Sequence, residues 1–152
     1  MSSICSQSTK PEMIVRKYLW HAGFRYRVNS KKLPGHPDIV LRKYRTCVFV
    51  NGCFWHGHDC VNFRKPRTNV LFWENKIRRN KQRDIEVQRK LAKMGWHCVV
   101  VWECELKSSV KQKTLTSLAY TLNYIYLQDH ALPYSKLEQE KDQGLAAEPS
   151  LF

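Results

Sequence analysis

Ten consecutive residues, Asn51-Gly-Cys-Phe-Trp-His-Gly-His-Asp-Cys60, carry two cysteines, two histidines and an aspartate. Cys53, His58 and Cys60 offer soft or borderline donor atoms, and Cys104 supplies a fourth just after the β-branched run His97-Cys-Val-Val-Val-Trp102. Four such donors make the tetrahedral set of a closed structural zinc site, with no position open to water. The chain must then fold so that the end of that run meets residues 53–60. The competing reading is buried free cysteines beside a surface histidine, because the spacing matches no common zinc-finger pattern. Cys98 replaces Cys104 only if the strand register differs from the one read here, and Cys5 and Cys47 have no ligand neighbours. The N-terminus lacks the apolar stretch of a secretion signal, and no run of 18 apolar residues occurs. A soluble cytoplasmic protein with reduced thiols is expected, which favours metal over disulfides.

Charge narrows the partner. Residues 1–113 hold 24 Lys and Arg against 8 Asp and Glu, whereas the remainder holds 2 against 5. A body this basic repels itself until a polyanion neutralises it, and nucleic acid is the usual one. A membrane surface fits less well, because the charge sits among residues that resemble an enzyme site. At 152 residues, with 43% hydrophobic and 12% aromatic side chains, the chain has material for one core and is excluded from wholesale disorder. The composition shift places a domain over 1–113, with its core at about 9–107, and a C-terminal helical appendage and polar tail over 114–152.

Pro11 and Gly23 bracket a first helix with Ile14, Val15, Tyr18, Leu19 and Ala22 as its buried stripe. Two prolines and a glycine make Asn29 to Pro37 a loop. Ile39-Val-Leu and Cys47-Val-Phe-Val read as a hairpin turned at Arg42 to Arg45, and His97 to Trp102 as a third strand. Val70 to Met94 reads as a long helix ended by Gly95, its inward stripe being Trp73, Ile77, Asn80, Asp84, Val87, Leu91 and Met94. Asn80 is readily a tolerated polar residue. Asp84 needs a cation or strong donors to offset its desolvation.

His56 stands two residues before a zinc ligand, and an imidazole there is suited to proton transfer near neutral pH. Asp38, after Pro37, sits where loop meets strand. It is either a solvated strand cap or a hard-oxygen ligand for the Mg²⁺ of phosphodiester cleavage, and Glu12 is the other acid able to face that place. Phe54, Trp55 and Trp73, amid Arg64, Lys65 and Arg67, suggest stacking on bases or wedging between them, with core packing the alternative for Trp73. Phe54 and Trp55 cannot both point inward on a strand, so one is expected to be exposed.

Pro34-Gly-His-Pro-Asp38-Ile-Val, Asn51 to Cys60, Phe72-Trp-Glu-Asn-Lys-Ile, Asn80-Lys-Gln-Arg-Asp84, Gly95-Trp and Val101-Trp-Glu-Cys104 together resemble the very short patch repair (Vsr-type) DNA mismatch endonucleases. The similarity spans about residues 9–107. It implies an α/β restriction-endonuclease-like fold, with a small central mixed β-sheet flanked by helices and a structural zinc. It also implies Mg²⁺-dependent nicking 5′ of the thymine in T:G mismatches left by deaminated 5-methylcytosine. By that resemblance Asp38 holds Mg²⁺, His56 is the catalytic histidine, Asp84 supports the active site and Glu12 is the acid of the first helix. Cys53, His58, Cys60 and Cys104 match its zinc ligands, and Phe54, Trp55 and Trp73 its intercalating aromatics. The expected partners are mismatched duplex DNA and mismatch-repair proteins, met by a monomer at the nucleoid of a bacterial cell.

Three departures are visible. Asn51 stands at an active-site position where the family's familiar pattern has a histidine, and it cannot titrate. The related nuclease pattern of an aspartate with a later acid-x-lysine is missing. The basic N-terminal arm is short, with Lys10 its only charge. Two rival readings share these motifs, a restriction-type or general nicking endonuclease without mismatch selectivity and a non-catalytic zinc-stabilised DNA-binding module.

Overall fold

Thr9 starts the first helix as N-cap, its Oγ1 accepting from the Glu12 N–H at 3.5 Å, and Pro11 sits in the first turn, where its missing N–H costs nothing. The computed structural model describes residues 8–60, 64 and 66–131. Helix α1 (Lys10–His21) stops just before Gly23, which adopts φ +93°. Val15 and Leu19 of the expected stripe are fully buried, whereas Ala22, past the last helical turn, faces solvent.

Strands β1 (Arg27–Val28), β2 (Ile39–Leu41), β3 (Thr46–Asn51) and β4 (His97–Trp102) form one mixed sheet in the order β1-β2-β3-β4. The β2–β3 hairpin is antiparallel, pairing Ile39 with Val48 and Leu41 with Thr46. β3 and β4 run parallel, from Thr46 beside His97 to Asn51 beside Trp102. A parallel pair needs a long crossover, and helix α2 (Val70–Lys93) supplies it. β1 was not expected. It is two exposed residues long, carries no alternation to read, and exists because β2 offers it an edge.

Alternate residues of the hairpin serve opposite faces. Ile39, Leu41 and Val48 join Val15, Leu19, Phe24 and Val101 under α1, while Val40 and Cys47 meet Leu91 of α2. β2 is buried on both faces, hence its unbroken apolar run. A 3-10 turn (Glu103–Leu106) follows β4 and leads to helix α3 (Lys111–Asp129). Leu115, Leu118 and Leu122 of α3 belong to the same core as Val15 and Leu19. The charge shift at residue 113 thus falls inside the first turns of a core helix, because packing follows apolar periodicity and not net charge. Met94, read as the end of the α2 stripe, is instead its C-cap and 48% exposed. No described helix is long and apolar enough to cross a membrane.

Candidate active site

Asp38 directly precedes β2, so the antiparallel register sets it beside the far end of β3, where its Oδ2 accepts from the Val50 N–H at 2.7 Å. Burial pushes the Asp38 carboxyl up to about 7; the Val50 N–H opposes that shift, and the Glu12 carboxyl hydrogen-bonded to it reinforces it. Glu12 is 3% exposed, and the Arg16 guanidinium lies 3.2 Å from its Oε2. The buried Glu12 and half-buried Asp38 carboxyls face one guanidinium, so with both ionised the site is one positive charge short, and a hard divalent cation is the ligand such oxygens suit. The residues present fit Mg²⁺.

After β3 the chain turns tightly. The His56 N–H reaches the Gly52 carbonyl at 3.3 Å, Gly57 that of Phe54 at 3.2 Å and His58 that of Cys53 at 2.9 Å. Gly57 has φ +60°, and a Cβ there would lie 2.6 Å from Ile77 Cγ2 and 2.5 Å from Lys81 Cε. Only glycine allows this approach to α2. The two polar residues interrupting the α2 stripe face the same turn. Asn80 Nδ2 donates to the Trp55 carbonyl at 2.7 Å, and Asp84 Oδ2 meets His56 Nδ1 at 2.6 Å. Ile77, Asn80, Lys81 and Asp84 are spaced i, i+3, i+4 and i+7, one helix face against one loop. An ionised Asp84 accepts from Nδ1–H, which leaves the His56 Nε2 lone pair free to take a proton.

The ligand atoms of Cys53, His58, Cys60 and Cys104 all lie within 4.8 Å of one another. Tetrahedral ligation by thiolates sets donors about 3.8 Å apart, so the cluster fits zinc with little rearrangement. His58 Nδ1 is 3.6 Å from Cys104 Sγ, and its ring stacks on Trp102 at 4.1 Å with 7° between planes. Burial pushes the Cys53 thiol up to about 12, with Cys60 and Cys104 adding to it. Crowded thiols ionise together only around a cation. Cys98 packs with Val40, Cys47 and Leu91 beneath α2, which removes it as a substitute for Cys104.

Phe54, Trp55 and Trp73 form an edge-to-face trio with centroids 5.3, 5.4 and 5.6 Å apart. Trp55 is the exposed member of the adjacent pair at 41%, and Phe54 is half-buried. Phe72, which sequence reasoning left out, extends the trio 5.2 Å from Trp73 and is 58% exposed. Its place at the open start of α2, outside the apolar stripe, was the available signal. Two other residues were missed. Glu103 Oε1 accepts from the Cys53 N–H at 3.4 Å, and Arg16 ties to Glu12 one helical turn earlier. Asn51 ends β3 half-buried beside Trp102. Arg64 and Arg67 are exposed, and Lys65 and Cys5 lie outside the described residues.

Comparison with known proteins gives a consistent set of likenesses. The family described as DNA mismatch endonuclease Vsr matches residues 1–62. The type II nicking enzyme V.NmeAIP of Neisseria meningitidis serogroup A is 53% identical over 108 residues, 71% of this chain and 77% of that protein. The type II nicking enzyme V.XorIIP of Xanthomonas oryzae pv. oryzae is 44% identical over 106 residues, covering 70% and 78%. The DNA mismatch endonuclease Vsr of Escherichia coli K12 is 39% identical over 111 residues, covering 73% and 71%.

Proposed function

The chain belongs to the Vsr family of DNA endonucleases, and on that premise we propose that it nicks duplex DNA 5′ of the thymine in a T:G mismatch, with Mg²⁺ at Asp38 and proton transfer at His56. That it is a nicking endonuclease follows from the family; the mismatch, the ion and the residue roles are our reading. The observation that carries it is the 2.6 Å contact between His56 Nδ1 and Asp84 Oδ2. It orients an imidazole whose free Nε2 faces away from its carboxylate partner, as a general base for water or acid for a leaving oxygen requires.

Asp38 and Glu12 lie at the same end of the sheet as the turn that carries His56, because Asp38 opens β2 where β3 ends. Mg²⁺ bound there supplies Lewis-acid polarisation of the scissile phosphate and neutralises developing charge. Asp38 would be its first ligand, and Glu12, hydrogen-bonded to Asp38, would hold that carboxyl in place. Asn51 contributes an amide at this end of β3 and no titrating group, so His56 alone moves protons. Zinc in the Cys53, His58, Cys60 and Cys104 cluster is structural. It fixes the turn from which His56 projects, and it closes that turn onto the end of β4 through Cys104.

Phe54, Trp55 and Trp73 supply mismatch selectivity. A T:G wobble differs little in outline from a Watson-Crick pair, and groove hydrogen bonds discriminate by only about 1–3 kcal/mol. A step beside a mispair is easier to unstack, so an aromatic wedge converts that weakness into preference. Exposed Arg64 and Arg67, with Lys65 between them, are placed in this reading on the phosphates.

The test is a set of labelled duplexes carrying T:G or C:G at one position, with and without Mg²⁺. Nicking of T:G alone, dependent on Mg²⁺, is expected. Equal cutting of C:G makes the enzyme a general nicking endonuclease, and binding with no cleavage in Mg²⁺ refutes the roles given to Asp38 and His56.

A further inference from the structure

Arg16 is 8% exposed and Glu12 3%, an ion pair inside the protein on adjacent turns of α1. Such a pair seldom stabilises a fold more than apolar side chains of the same volume would, since desolvating both charges offsets their attraction. Arg16 has a further disadvantage, for its Nε–H is buried with no acceptor among the described residues. Retaining it in this position needs another reason, and its contacts supply one.

The guanidinium gathers several segments. Nη2 reaches Glu12 Oε2 at 3.2 Å and Asn29 Oδ1 at 3.5 Å, and Nη1 reaches Ser8 Oγ at 3.2 Å. The Ser8 N–H also donates to Glu12 Oε2, at 2.8 Å. Both contacts use the same carboxylate oxygen, and the Glu12 carboxyl is also hydrogen-bonded to Asp38. Asn29 is itself tied to Asp38, its N–H donating to the Asp38 carbonyl at 3.1 Å. One side chain therefore holds Glu12 directly and touches the residue that holds the Asp38 backbone. Tyr26 OH donates to the Arg16 carbonyl at 2.9 Å and anchors the helix at that turn.

We propose that Arg16 is a positioning residue of the cation site, fixing Glu12 against Asp38 so that the carboxylate pair is preformed for a divalent ion. It touches neither DNA nor the reacting atoms and acts through Glu12. The planar fork is what the role requires. Lysine at this position keeps the charge but replaces several directed donors by a point charge, so it preserves the local potential and loses the geometry. The inference rests on the cation reading of Asp38.

The test is direct cation binding to the zinc-loaded full chain, with Mn²⁺ as probe and loss of the free-ion electron paramagnetic resonance signal as readout. Wild type should bind one Mn²⁺ that Asp38→Asn abolishes; if it does not, the cation reading itself fails. Given that site, Arg16→Lys should weaken Mn²⁺ by about tenfold, the scale of a lost charge-assisted hydrogen bond. Glu12→Gln should weaken it comparably, and the double variant no more than either alone, because the two act as one unit. In nicking assays Arg16→Lys should lower kcat and raise the Mg²⁺ requirement while KM for DNA stays put.

A merely structural arginine gives another pattern, a lower Tm with unchanged Mn²⁺ affinity, or a loss that persists undiminished in the Glu12→Gln background. Either result overturns the proposal. Should Arg16→Lys fold poorly, Ser8→Ala removes the Nη1 acceptor from the protein's surface and should weaken Mn²⁺ in the same direction. Wild-type affinity in Ser8→Ala, or a loss that adds in full to that of Glu12→Gln, would then reject it.

Discussion

Asp84→Asn removes one negative charge from the His56 contact while keeping the side chain's volume. The wild-type pair is 2.6 Å apart with 21% and 28% of the two side chains exposed, a short contact still reached by solvent. A hydrogen bond to a charged partner is worth about 1.5–3 kcal/mol net, and partial exposure places this one toward the lower end. Asparagine keeps a neutral acceptor for Nδ1–H but no longer stabilises the imidazolium formed when Nε2 takes a proton, and its amide also tolerates the flipped tautomer. The cost falls on the chemical step. At about 1.4 kcal/mol per tenfold, single-turnover nicking should slow by about 10- to 100-fold. Stability should change by less than about 1 kcal/mol, since asparagine keeps an acceptor for Nδ1–H and the contact is partly reached by solvent. The assay is single-turnover cleavage of a labelled T:G duplex at saturating enzyme, with the dissociation constant measured separately in Ca²⁺. His56→Ala should cost at least as much, and the double variant should be no slower than His56→Ala. A rate within twofold of wild type, or an Asp84 effect that persists at full size without His56, refutes the pairing as the source of catalysis.

Gly57→Ala combines a left-handed backbone with a Cβ clashing against buried Ile77, about 2–4 kcal/mol together, and should lower Tm by about 10 °C and slow nicking; unchanged melting and rate would contradict the close approach to α2. Elemental analysis should find one zinc per chain, and removing it with a chelator in excess Mg²⁺ should loosen the domain and abolish nicking, because ligation is part of its folding free energy. Active protein without zinc would sink that assignment. Trp55→Ala should weaken T:G duplex binding by about 10- to 100-fold, the 1–3 kcal/mol of a lost base stack, and barely alter C:G binding. Equal losses on both duplexes would move Trp55 from selectivity to general affinity.

The sequence alone set the periodic elements and the donor chemistry. The 3.6-residue stripe of Trp73, Ile77, Val87 and Leu91 defines α2 because an amphipathic face is a local property of spacing. The strands at 39–41 and 97–102 stood out by their β-branched runs, and Cys53, His58, Cys60 and Cys104 by the scarcity of other reasons to place such atoms together. Tertiary structure decided what depends on partners distant along the chain. β1 exists through an edge that β2 provides, and α3 joins the core through Leu115, Leu118 and Leu122, whose meaning appears only opposite α1 and β4. Asp84 was conspicuous on an apolar stripe, but its partner was fixed by Gly57, which lets the turn settle on α2 and brings Nδ1 to Oδ2. Arg16 was invisible in composition because one arginine among 26 basic residues reads as surface charge. Burial beside Glu12 distinguishes it, and burial is a property of the assembled fold, not of the residue's place in the chain.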